Sequence, residues 1–245
     1  EFIKNGIGRF YFGSDLIGAY YCEELRQSGP DERVMRFLSG IRLLDRSDHQ
    51  GGLYSGELAG DVIDDIISNI VPYTIDADIA EIPVYGYLPY GRRRNNLQFV
   101  LMAIGAAVRN NPDGSLRITQ LSDTVTGTID ESRVFFGGSV VNRTPATAVQ
   151  VTEHNYLPSA DEVVLYDGVS IDTETIKFSE PIHDLDITGG TILASGVNFC
   201  IFQGAGAVLL KGKRYNHITR IITVGTPPTG IESDVVKKVT NNTLI

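Results

Sequence analysis

Four histidines, His49, His154, His183 and His217, are the first candidates for acid–base or metal chemistry. No two are three or four residues apart, and neither Cys22 nor Cys200 lies near one in sequence. A tetrahedral zinc site would need ligands gathered from distant strands, so surface or hydrogen-bonded histidines are the simpler reading. Glu153-His154 has the composition of an acid–base pair, but neighbours on a strand point to opposite faces. Asp76/Asp78 and Asp184/Asp186 are spaced i, i+2, which on a strand puts both carboxylates on one face. Glycan hydrolysis needs two carboxylates at a set separation in a cleft, and no cleft is legible. EF-hand spacing is absent, and so is the G-x-S-x-G elbow of many hydrolases. The expectation is no enzyme, metal or cofactor, with Glu153, His154, Asp184 and Asp186 sharing no site. Gly204-Ala205-Gly206 lacks the rest of a dinucleotide loop and reads as a hairpin turn.

Arg92-Arg93-Arg94 is the one unusual charge run. It opens an amphipathic segment, where three cations oppose the helix dipole at about 0.3–1 kcal/mol each if exposed. One reading is a solvated helix end with acidic neighbours. The other is contact with an acidic surface of a partner subunit, and on that reading replacing all three with Ser leaves the monomer fold intact or slightly more stable. Arg92, Arg93 and Arg94 are therefore the candidate partner-binding residues.

The elements that position these residues follow from periodicity. Strands are expected at 7–12, 16–25 and 33–38, joined by Gly13-Ser14-Asp15 and Gly29-Pro30-Asp31 as an antiparallel meander. A helix is expected from about Leu58 to Ile70, with Val62, Ile63, Ile66, Ile67 and Ile70 on one face. After a strand at 82–88, a second helix runs from about Arg92 to Val108, burying Leu97, Val100, Leu101 and Ile104. A strand at 116–121 follows. Beyond residue 125 no helix is expected, only short strands at 133–136, 147–153, 162–166, 175–178, 191–194, 197–202, 207–210 and 217–224. The fold class is α+β, predominantly β: antiparallel barrel or sandwich domains with a small two-helix α+β insertion. The expected parts are 1–38, the strands of a first barrel; 39–124, the α+β unit; and 125–245, a β-rich domain.

Composition limits function. The 245 residues are 42% hydrophobic and carry a net charge of −9, so binding to a phosphate backbone is disfavoured. No apolar run approaches the ~20 residues of a membrane span. Two cysteines make no disulfide framework; buried free thiols are the favoured reading, with a structural pair as the alternative. The chain opens within a strand-like pattern and ends on an apolar pair, so it reads as a piece of a longer polypeptide, cut at both ends.

Several strings carry a resemblance. Leu88-Pro89-Tyr90-Gly91-Arg92-Arg93-Arg94-Asn95-Asn96-Leu97-Gln98-Phe99-Val100-Leu101-Met102-Ala103-Ile104-Gly105-Ala106 looks like the central helix of a family of prophage tail proteins. Gly51-Gly52-Leu53-Tyr54-Ser55-Gly56, Ala148 to Tyr156, and Gly212-Lys213-Arg214-Tyr215-Asn216-His217 fit the same family in order. The organisation is similar to baseplate hub proteins of long-tailed phages and contractile injection systems. That resemblance implies tube-like β-barrel domains with an α+β insertion. It also implies a homotrimeric ring joining tail tube to spike in a virion or tail-like particle made in the host cytoplasm. The alternatives are a carbohydrate-binding host-recognition module, which eleven tyrosines favour and the absence of tryptophan disfavours, and a cell-wall hydrolase.

Overall fold

The computed structural model describes residues 6–121, 127–128, 146–226 and 236–245. The described residues are mostly β with a few short helices, arranged in several antiparallel sheets, none of them closed into a barrel among these residues. The strand expected at 133–136 lies outside the described residues.

The first three strands form the expected meander. β1 (Ile7–Phe12), β2 (Asp15–Gln27) and β3 (Arg33–Leu38) pair antiparallel in chain order. A single turn at Gly13-Ser14 forces close pairing, with Gly13 supplying the left-handed φ of 61°. Among the described residues the sheet is anchored where β2 meets the Gly114 turn. Ala19 and Tyr21 are buried, and the Tyr21 hydroxyl donates to the Gly114 carbonyl. Phe12 at the far end is 78% exposed.

The middle unit holds the larger core. Its elements are α1 (Gly40–Leu43), a 3-10 turn (Leu44–Arg46), β4 (Asp48–His49), β5 (Gly52–Leu58), α2 (Ala59–Ile67), β6 (Tyr73–Ile75) and α3 (Ala77–Ala80). There follow β7 (Pro83–Leu88), β8 (Gly91–Arg92), α4 (Arg93–Ala103), β9 (Ala106–Asn110) and β10 (Leu116–Gln120). Val62, Ile63, Ile66 and Ile67 of α2 pack with Leu97, Val100, Leu101 and Ile104 of α4 and its cap, all buried as their periodicity requires. Both helices are shorter than the apolar pattern implied. α2 stops at Ile67 because Asn69 turns left-handed, at φ 59°. α4 stops at Ala103, and Gly105 at φ 66° redirects the chain into β9, which pairs with β10. Val108 fits both a helical and an alternating pattern, and the pairing with β10 selects the second.

The C-terminal part is a long ribbon. β11 (Ala148–Ser170) pairs antiparallel over nearly its whole length with β14 (Phe199–Gly225), from Gly206 to Gly225. The β12 strand (Thr173–Lys177) and β13 (Ile182–Gly196) flank β14, and β15 (Val236–Val239) adds to β11 in parallel. At roughly 3.3 Å per residue the 23 residues of β11 extend far beyond a typical strand. Register shifts between Pro158 and Glu162, and between Val164 and Tyr166, bend it. The several short strands expected here are therefore pieces of a few long ones.

Gly204-Ala205-Gly206 is not a hairpin turn, which corrects the sequence reading; it lies inside β14. At this point one edge of β14 changes partner, from β12 (through Gln203) to β11 (from Gly206). The turn between β11 and β12 crosses here, and a Cβ on Gly204 would collide with Ser170. Glycine serves close backbone approach within the strand rather than chain reversal.

Candidate functional site

The three arginines have acceptors inside their own subunit. Arg93 Nη1 donates to the carbonyls of Asp65 and Ile66, each at 2.7 Å. These carbonyls lie in the last turn of α2, where backbone acceptors lack helical partners and the dipole is negative. Arg94 Nη1 pairs with Asp45 Oδ2 at 3.0 Å, and Arg92 Nη1 with Asp48 Oδ1 at 3.4 Å. Asp45 and Asp48 are acidic neighbours of the kind the first reading of this run expects. One helix start supplies the cation that satisfies another helix end, so removing Arg93 costs stability rather than adding it. Arg92, whose side chain is 55% exposed, points furthest outward of the three.

A buried polar latch holds the same region to the ribbon. His49 Nδ1 accepts from Asn96 at 2.9 Å and from the Gly51 amide at 3.3 Å, so its Nε2 carries the hydrogen donated to Asp65 at 2.8 Å. Both ring nitrogens are hydrogen-bonded within the chain. Burial holds the His49 pKa below its ordinary value, against the opposing pull of Asp65. Asn198 of the ribbon donates to the carbonyls of Gln50 and Leu88. Gly51, at φ 72°, passes so close to Leu88 and Asn198 that no Cβ fits.

Histidines remote in sequence meet on one ribbon face. Tyr156 lies directly opposite His217 across the β11–β14 ladder, rings parallel within 4° and centroids 4.5 Å apart. His154 Nδ1 and His217 Nε2 are hydrogen-bonded at 2.8 Å. Burial, then the neighbouring His217, lowers the His154 pKa. Tyr87 of β7 tilts against Tyr156 at 5.6 Å. Thr243, from the segment after β15, binds the Tyr87 backbone on both sides: its carbonyl accepts from the Tyr87 amide and its hydroxyl donates to the Tyr87 carbonyl. Together Tyr87, Tyr156, Tyr215, His217, Ser179 and Glu180 surround a cavity of about 200 Å3. Burial, then the Glu180 charge, raises the Tyr156 phenol, and burial chiefly raises that of Tyr87. Both remain protonated donors at neutral pH. A second hollow, about 300 Å3, lies beside Leu53, Tyr54, Tyr85, Glu153 and His154.

Sequence reading did not assemble this cluster, although it held a signal. His154-Asn155-Tyr156 and Tyr215-Asn216-His217 mirror each other, as two strands of one antiparallel ribbon allow.

The remaining acidic candidates are dispersed. Glu153 and His154 border one hollow without a hydrogen bond between them. Asp184 and Asp186 are both exposed on β13 with half-buried Leu185 between them, the alternation that i, i+2 spacing implied, although the ladder shifts register there and Asp184 adopts φ 50°. Asp184 pairs with Lys213 at 2.9 Å and with His183 at 3.4 Å, and these partners lower its pKa. Asp76 precedes α3 rather than sitting on a strand with Asp78; the Thr119 hydroxyl and then Arg117 lower its pKa. Among the described residues no group of three or more His, Cys, Asp or Glu is placed to hold a metal ion. Cys22 and Cys200 are both free thiols, the first half-buried and the second buried. No helix among the described residues is long and apolar enough to cross a membrane.

Comparisons with protein-family models, with curated proteins and with solved structures find no match for this chain.

Proposed function

We propose that the chain is a structural part of a phage or phage-like tail baseplate, a hub-like connector between tube and spike that acts by assembly. The observation that supports this reading is the apolar β surface exposed among the described residues. Phe10, Tyr11, Phe12, Ile17 and Met35 are exposed on the β1–β3 meander. Ile218, Ile221, Ile222 and Val224 are exposed at one end of β14. Exposed apolar side chains grouped on two stretches of β structure suit contact with other chains, and open sheet edges are templates for further strands. In the assembled state three copies surround a channel, and barrel closure is completed between subunits rather than within one. Arg92 is the member of the arginine run that faces a neighbouring subunit or tail protein. The particle is a virion or tail-like baseplate, without catalysis, cofactor, specific nucleic acid or stable membrane association.

Native mass spectrometry of the purified chain, alone and with tube and spike proteins, tests this. A threefold species that joins those partners is expected, and Phe12→Ser with Ile221→Ser should dissolve it. A chain that stays monomeric at high concentration and joins no tail particle would overturn the proposal.

A further inference from the structure

We infer that the open edge of β14 at residues 218–224 is a self-association surface, which pairs antiparallel with the same edge of a second copy of this chain. β11 holds one side of β14 through Gly225. On the other side β13 pairs only as far as Arg214, and among the described residues no strand continues along that side. Pro227-Pro228 follow in sequence, and neither can donate a hydrogen bond to a ladder. Every residue from Asn216 to Gly225 is exposed. The amides and carbonyls of such an edge are a template for another strand. The devices that usually guard an edge are few here. The register shifts of the β11–β14 ladder lie between Pro158 and Glu162 and between Val164 and Tyr166, away from this stretch, and Arg220 is its one charged residue.

The side chains indicate which strand fits. Ile218-Thr219-Arg220-Ile221-Ile222-Thr223-Val224 reads nearly the same in reverse, and every residue but Arg220 is β-branched and suited to strands. In an antiparallel pair centred on Ile221, that residue meets its own copy, Thr219 meets Thr223, and Ile218 meets Val224. Each is a favourable cross-strand pair. Arg220 meets Ile222, so no arginine directly faces another, and Glu153 of the same copy stands opposite Arg220 across the ladder. Directly opposed residues share a face, so Ile218, Ile222 and Val224 of both copies join in one apolar face. Ile221 also lies near the midpoint between Arg214, where β13 ends, and Pro227. The space on the edge and the mirror symmetry of the sequence therefore share a centre. A two-fold contact of this kind closes on itself and covers both edges at once. An unrelated strand could use the same backbone groups but would gain nothing from the mirrored order. The inference goes beyond the hub reading and does not rest on it, since a pair of chains is a different assembly from a threefold ring.

Sedimentation velocity and native mass spectrometry on the full chain, without tube or spike proteins, supply the test. A monomer–dimer equilibrium is expected, with a dissociation constant on the order of 10 μM, as suits a small contact. Ile221→Lys and Ile221→Glu should each weaken it about tenfold or more, because each variant meets its own charge on the two-fold axis. An equimolar mixture of the two should restore pairing as heterodimers, since only a position that meets its own copy is rescued in this way. Ile221 is 67% exposed, so neither substitution threatens the fold. Ile171→Lys, on the exposed turn between β11 and β12, should leave pairing unchanged. A chain that stays monomeric well above that constant, pairs indifferent to Ile221→Lys, or a mixture that rescues nothing overturns the inference. Pairs that persist in Phe12→Ser but join no tube or spike protein uphold this contact and sink the hub reading. A threefold ring with no pairs, indifferent to charge at position 221, does the reverse.

Discussion

The middle unit and the ribbon use the same apolar residue types with opposite outcomes. In the middle unit α2 and α4 face each other, and a score of residues from many elements form one core. The ribbon has a core of six buried residues, Phe178, Ile182, Cys200, Phe202, Val208 and Leu210, gathered where β12 and β13 flank β14. Farther along the same strand Ile221 is 67% exposed. Alternation assigns a side chain to a face; whether that face is covered depends on how many strands lie alongside. The contrast separates residues that hold the fold together from apolar residues left exposed among the described residues.

Truncating a central side chain of either core should have the largest effect. Phe202→Ala is expected to cost about 3–5 kcal/mol and Leu101→Ala about 2–5 kcal/mol, read from urea unfolding. If Phe202→Ala costs under about 1 kcal/mol, the ribbon has no core of its own and the contrast collapses. Next comes Arg93→Ser, expected to destabilise by about 1–3 kcal/mol because two α2 carbonyls lose their donor; an unchanged midpoint would show that the helix end is solvated.

A pH dependence of similar or smaller size should arise at the latch. His49 and His154 both have pKa values held below the ordinary 6.5. Above that pH both folded and unfolded chains carry neutral rings, and no penalty arises. As pH falls through 6.5 toward the lower folded values, the unfolded chain takes up protons that the folded chain refuses, so stability declines. The slope is at most about 1.4 kcal/mol per pH unit for each histidine. Comparing urea midpoints at pH 7.5 and 5.5 measures it, and His49→Gln should flatten it; an unaltered slope would place the effect elsewhere. The smallest effect belongs to Ile221→Ser, expected within about 0.5 kcal/mol for the isolated chain. A large loss in a monomeric sample would mean that this end of the ribbon is covered within one copy.

The meander, the two helix faces and the β character of the described residues from Ala148 on were legible, because each rests on local period and turn residues. The helix ends were less so: Asn69 and Gly105 adopt left-handed backbone, and nothing in apolar spacing marks that. Strand length was misread because glycines normally signal turns, while Gly204 and Gly206 sit within β14. The arginines were found, but their acceptors, 27 to 49 residues away, depend on how α2 and the 3-10 turn lie against α4. Register alone brings His154 and His217 together across 63 residues, and register is set by pairing across the ribbon.

Leu244 is buried in the core of the middle unit, and Asn242 donates to the Phe99 carbonyl. The core therefore draws on Tyr21 near one end of the chain and Leu244 near the other. During synthesis the helices emerge long before the residue that completes their packing, and the whole ribbon must form between the two. Contacts of such wide sequence separation slow folding. The nascent middle unit thus spends time with a gap in its core, and in that interval it is most open to chaperones or to a neighbouring chain.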